Sequence, residues 1–153
     1  MSLLSAMSVS ASGMSAQRAR TEVLVENLAN AETTRTPEGG PYRRKDVVFQ
    51  TAPQHAEFSS LLHQQMQGEP GLAGVDVSAG VEVSEVVTDQ RDPEKRFLPG
   101  HPDADAEGYV AFPRINPAED MVDLLSASRG YQSNVSAMQT VKDMLHRSID
   151  LLR

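Results

Sequence analysis

Apolar residues recur at alternating intervals of three and four along the last quarter of the chain. Met121, Leu124, Tyr131, Val135, Met138, Leu145, Ile149 and Leu152 carry the pattern, with Ser128 and Lys142 as its polar members. This is the heptad spacing of a helix with one apolar seam. Just upstream, Asn116-Pro117-Ala118-Glu119 has the order of a helix start: Asn as N-cap, Pro at the first helical position, Glu placed for a capping box. A helix over 116–153 would run about 55 Å at ~1.5 Å per residue. Such a length outreaches a small domain, so the seam is expected to find its partner outside the subunit.

The first segment repeats the alternation more weakly, through Leu3, Met7, Ser10, Met14, Gln17, Thr21, Leu24, Leu28 and Ala31. Small residues fill much of the remainder, and Gly13 lowers helix stability by ~1 kcal/mol relative to Ala. A helix over 1–31 is expected, marginal without an apolar face to pack on. Both ends read as two halves of one intermolecular coiled coil. Each is expected to be largely disordered in the free subunit and to become helical on assembly.

Between them the period changes to two. Val75, Val77, Ala79, Val81 and Val83 alternate with Asp76, Ser78, Gly80 and Glu82, as in a half-buried strand. Tyr42 to Gln50, entered from Gly39-Gly40-Pro41, and Gly108 to Phe112 are further strand candidates. All nine prolines fall between Pro37 and Pro117, and prolines break helices by removing a donor and crowding the preceding turn. The expected fold is α+β: long N- and C-terminal helices pairing as a coiled coil around a small β-rich central domain. Its parts are an axial helix at 1–31, the central domain at 32–115 with an atypical insert near 51–74, and an axial helix at 116–153.

Composition narrows the function. The net charge of −7, most of it carried between 32 and 115, opposes nucleic-acid binding, which depends on Lys and Arg neutralising phosphates. With no Cys, thiol catalysis, zinc thiolates and disulfides are excluded. No stretch approaches the roughly 18 apolar residues of a membrane span, and no insertion into a membrane is expected. The uncharged, Ser-rich start lacks the basic region of a cleavable secretory signal.

Candidate chemistry is sparse. His101-Pro-Asp103-Ala-Asp105-Ala-Glu107-Gly108 begins like a calcium loop, but its twelfth position is Arg114 rather than Glu. His55, His63, His101 and His146 share no metal-ligand spacing. Arg43-Arg44-Lys45 reads as a solvated, edge-protecting run on a strand. No nucleophile has a recognisable base beside it, so no enzyme activity and no cofactor are expected.

Several blocks of residues are nevertheless distinctive. Asn27-Leu28-Ala29-Asn30-Ala31 at the end of the first helix resembles the signature of bacterial flagellar rod, hook and hook-associated proteins. Gly40-Pro41-Tyr42-Arg43, then Pro99-Gly100-His101-Pro102 and Gly108-Tyr109-Val110, narrow the resemblance to its proximal-rod members. Arg129-Gly130-Tyr131-Gln132 in the second helix completes it. The resemblance covers roughly residues 1–50 and 75–153.

That resemblance implies a structural subunit of the basal body. It would leave the cytoplasm through the flagellar type III export gate without signal cleavage. It would then polymerise with itself and other rod subunits into a helical rod across the periplasm, between a membrane-ring adaptor and the distal rod, and carry torque to the hook. The assembly interface is expected on Leu3, Met7, Met14, Leu24, Leu28, Met121, Leu124, Tyr131, Val135, Met138, Leu145, Ile149 and Leu152. Phe58 and Leu62 have a spacing associated in this family with export recognition. For Asn27 and Asn30 the plain reading is helix C-terminal capping. The competing readings are a generic coiled-coil adaptor, a sibling rod or hook subunit, and a calcium or enzyme module on 40–115.

Overall fold

A computed structural model describes residues 3–52 and 80–150. Its elements are α1 (Leu3–Ala29), β1 (Lys45–Thr51), β2 (Val81–Thr88), β3 (Glu94–Phe97), β4 (Tyr109–Phe112) and α2 (Pro117–Asp150). Phe58, Leu62, Val75, Val77, Ala79, Leu152, His55 and His63 lie outside the described residues, as does nearly all of the expected insert.

Both helices end as their sequences dictate. Asn116 caps α2, its Oδ1 accepting the Ala118 N–H at 3.2 Å and its carbonyl accepting the Asp120 N–H at 3.1 Å. Asn30 closes α1 by donating from Nδ2 to the Glu26 carbonyl at 2.9 Å. The chain then doubles back through Gly39 and Gly40, both at positive φ (90° and 81°), where a Cβ would be strained. Thr36 N–H donates to the Gly40 carbonyl at 2.8 Å across this turn, which delivers Tyr42 and β1 to the end of α1.

The β structure is two separate antiparallel ribbons, β1–β2 and β3–β4. β1 runs from Lys45 opposite Thr88 to Thr51 opposite Val81, with a shift between Val48 and Phe49 that leaves Ser84 bulged on β2. Val81 and Val83 of the period-two run fall on β2, while its earlier members lie outside the described residues. β3, which sequence pattern did not predict, pairs Glu94 with Phe112 and Phe97 with Tyr109. Its four residues are all exposed, so no apolar alternation announces it. A loop joins β3 to β4, with Asp105 Oδ1 accepting the Glu107 and Tyr109 N–H groups at 3.0 and 2.8 Å and Gly108 at φ 85°.

α1 packs on α2 and on both strands of the first ribbon. The helices run antiparallel: Gly13 faces Asn134, Gln17 faces Gly130, and Arg20 Nη2 lies 3.5 Å from Asp123 Oδ1. The chain itself thus supplies a partner for most of α2, where the length argument placed that partner outside the subunit. Among the described residues the buried apolar core comprises Ala16, Leu24, Tyr42, Val110, Ala127 and Val141. Among the described residues no helix is long and apolar enough to cross a membrane.

Candidate assembly interface

Two heptad stripes share α2, and the structure separates them. The intramolecular seam follows Asp120, Ala127, Asn134 and Val141, with Asp120, Ala127 and Val141 buried and Asn134 half-buried. Leu124, Met138 and Leu145 flank it, half-buried, as is Val135. Met121, Tyr131 and Ile149, expected on the same seam, are instead exposed, as are Ser128 and Lys142. The seam sits one residue ahead of the apolar series because α1 approaches closely, which favours small side chains. At Gly13 a Cβ would come within 2.9 Å of Asn134 Nδ2, and at Gly130 within 3.2 Å of Gln17 Cδ.

The first turns of α2 consequently leave an outward apolar face. Met121, Val122 and Leu125 are 53%, 66% and 60% exposed and neighbour one another on the helix surface. On α1, Leu24 is buried and Leu3, Met7, Met14 and Leu28 are half-buried, while Leu4 and Val25 are exposed. Contiguous exposed apolar surface of this kind marks interaction sites.

Behind that face lies a polar joint where α1, β1 and α2 meet. Asn27, fully buried, donates from Nδ2 to the Lys45 carbonyl at 2.8 Å. Its Oδ1 accepts the Lys45 N–H and the Tyr42 hydroxyl, both at 3.0 Å. Asn27 is therefore a tertiary tie and not the helix cap expected of it; capping falls to Asn30 alone. Burial, and secondarily the Glu26 carboxylate, push the Tyr42 phenol up to about 12. Lys45 Nζ reaches Glu26 Oε1 at 2.5 Å.

Asp120 forms the other half of the joint. Its side chain is 1% exposed, and its ion-pair partner is Arg44, whose Nη2 lies 3.1 Å from Oδ1. No aligned donor meets either Asp120 oxygen among the described residues. Burial holds its carboxyl above the usual carboxylate range, opposed by Arg44. The Arg43-Arg44-Lys45 run is thus no solvated face throughout: Arg44 and Lys45 bolt β1 to the two helices. Asp120 escaped sequence reasoning because a charge at a seam position does not register in an apolar period.

The remaining motif residues serve the loops. Pro99 and Gly100 shape the β3–β4 turn, where Thr34 Oγ1 donates to Asp103 Oδ2 at 2.8 Å. Gly108 gives room to Phe97 and Pro99, and Tyr109 stacks edge-on with Phe97 at 5.3 Å. Asp103 and Asp105 are engaged by these internal bonds. Among the described residues no group of three or more His, Asp or Glu is placed to hold a metal. Ala29, Arg129 and Gln132 are exposed on their helices.

Comparison with known proteins places this architecture. The family described as flagella basal body rod protein matches residues 7–35, which hold most of α1 and its Asn27–Asn30 end. The family described as flagellar basal body rod FlgEFG protein C-terminal matches residues 106–151, hence β4 and α2. The flagellar basal-body rod protein FlgC of Bacillus subtilis is 43% identical, across 99% of this chain and 99% of its own. The chain belongs to the FlgC family of flagellar basal-body rod proteins. FlgC of Escherichia coli O6:H1 is 37% identical over 99% of this chain and 98% of its own, and that of Borreliella burgdorferi 33% over 100% and 99%. The FlgC likeness runs essentially end to end, and its two family matches fall on the paired helices.

Proposed function

We propose that this chain is a structural subunit of the proximal rod of the bacterial flagellar basal body, assembling through its terminal helices and transmitting torque from motor to hook. The observation that carries the reading is the outward face of Met121, Val122 and Leu125, apolar, exposed and opposite the seam that α1 covers. In this reading the α1–α2 pair of each subunit joins those of its neighbours as a coiled coil in the inner tube. The ribbons pack outside it.

The apolar core among the described residues is small, and in this reading the helices of a free subunit are held weakly. A growing rod end supplies the missing apolar partners and offsets the ordering entropy, which restrains premature polymerisation. The other partners of this reading are sibling rod subunits, the membrane-ring adaptor, the distal rod, and the type III export gate that Phe58 and Leu62 would engage. The protein acts as a structural element rather than as an enzyme.

The experiment is electron microscopy of basal bodies from a strain lacking this gene, with a swimming assay. The reading predicts membrane rings without a rod, no swimming, and restoration by the intact gene. Complete rods and normal swimming in the deletion strain contradict it and favour a coiled-coil adaptor.

A further inference from the structure

One cleft lies apart from the helical face. It is walled by Gly39, Gly40, Pro41, Pro93 and Pro113 and lined by Arg43, Arg44, Arg91 and Arg114 around Asp89. Four arginines line it in a chain whose net charge is −7. Three prolines with fixed φ make its walls stiff.

The arginines are not equally engaged. Arg44 pairs with Asp120 at 3.1 Å and Asp46 at 3.3 Å. Arg91 grips Asp89 through two nitrogens, at 2.6 to 2.9 Å. These bonds hold the Asp89 carboxyl down at about 2. Among the described residues the Arg43 side chain bonds only the Asp89 carbonyl, at 3.2 Å, through one of its five donors. The Arg114 guanidinium makes no hydrogen bond or ion pair among the described residues and acts on Asp89 only through space. Arg43 and Arg114 therefore line the cleft with most of their donors unpaired among the described residues, an arrangement suited to a planar anion.

Size decides what kind of anion. The cavity measures about 90 Å³, well below the ~300 Å³ at which pockets for whole small molecules begin. It suits a single functional group projecting from a larger partner. We propose that the Arg43–Arg114 cleft receives one carboxylate side chain from a neighbouring copy of this chain. The inference rests on the rod reading above. Copies of an acidic chain repel one another, so their contact needs a local site of opposite charge. The chain offers the complement: Glu38, Asp92 and Glu107 are exposed, with no bond to their carboxylates among the described residues.

The test uses the full chain, following the Arg43 and Arg114 side-chain Nε–H signals by NMR during titration with acetylated triglutamate. Triglutamine and inorganic phosphate are titrated in parallel. The proposal predicts that triglutamate shifts both signals, that triglutamine does not, and that binding weakens at least five-fold in Arg114→Ser and in 0.5 M salt. Because the Arg114 guanidinium makes no hydrogen bond or ion pair among the described residues, that variant should keep the fold, which an unchanged melting temperature confirms. No response to triglutamate, a response untouched by Arg114→Ser, or binding of phosphate alone overturns it.

A strain whose only copy carries Arg43→Ser and Arg114→Ser supplies the second arm. It should secrete the subunit normally and assemble several-fold fewer rods. If the deletion strain builds no rods but this variant restores them fully, the cleft proposal fails alone. If the deletion strain builds rods, the rod reading itself has failed.

Discussion

Asn27 treats the backbone of Lys45 as another strand would, donating to its carbonyl at 2.8 Å and accepting its N–H at 3.0 Å. One side chain thereby continues the β1 ladder into the end of α1. An Asn30 cap bonds only its own helix and the adjoining turn.

The two asparagines should therefore differ sharply on truncation. Asn27→Ala leaves the half-buried Lys45 backbone groups without their side-chain partner and takes one of its partners from the buried Tyr42 hydroxyl, at a cost of roughly 3 kcal/mol by the usual penalty for orphaned polar groups. Asn30→Ala removes a local cap and should cost about 1 kcal/mol. Urea denaturation of the purified variants measures both. Equal losses would show that Asn27 is no tie.

Asp120 predicts a pH dependence with a definite sign. In the folded chain burial raises its carboxyl above the ordinary range, while Arg44 opposes the shift and Asp46, Asp123 and Glu119 add to it. The folded state thus holds this proton more tightly than the unfolded state. The stabilisation is fully present below the ordinary carboxylate pKa and is lost as pH rises through the elevated folded value. Asp120→Asn should flatten that part of the stability–pH curve. A curve unchanged by the substitution contradicts the assignment.

Tyr42 gives a spectroscopic reading of the same joint. Its phenol, pushed up to about 12, should ionise late. An ultraviolet titration should show one late transition, absent in Tyr42→Phe. The sign is again that of a raised group: the stability it contributes is complete below about 10 and fades through about 12.

The close helix crossing predicts a steric effect. Gly13→Val and Gly130→Val each push a branched side chain into Asn134 or Gln17, whose atoms already lie 2.9 to 3.2 Å from an added Cβ. Each should destabilise the subunit by about 1–3 kcal/mol, as overpacking does. Thermal melts of the two variants provide the check.

What the sequence made legible follows physical lines. Asn116-Pro117 announced the start of α2 because capping is local, and the heptads announced both helices because apolar period survives any tertiary arrangement. The seam itself was hidden, since Asp120, Ala127 and Asn134 are polar or small and only close approach to α1 buries them. β3 was silent because a ribbon exposed along all four residues needs no alternation. Asn27 looked like a cap because its partner, Lys45, is remote in sequence and is returned to it only by the Gly39-Gly40 turn.

The outward face of α2 allows the most direct test of the account. Leu125→Asp changes an exposed residue, so the free subunit should keep its stability within about 0.5 kcal/mol. Leu124, half-buried beside the seam, would not permit that separation of folding from assembly. In the rod the same Asp would bury an unpaired charge. The measurement is electron microscopy of basal bodies from a strain whose only copy carries Leu125→Asp. The account predicts secreted, folded subunit and rings without rods; intact rods at normal frequency would contradict it.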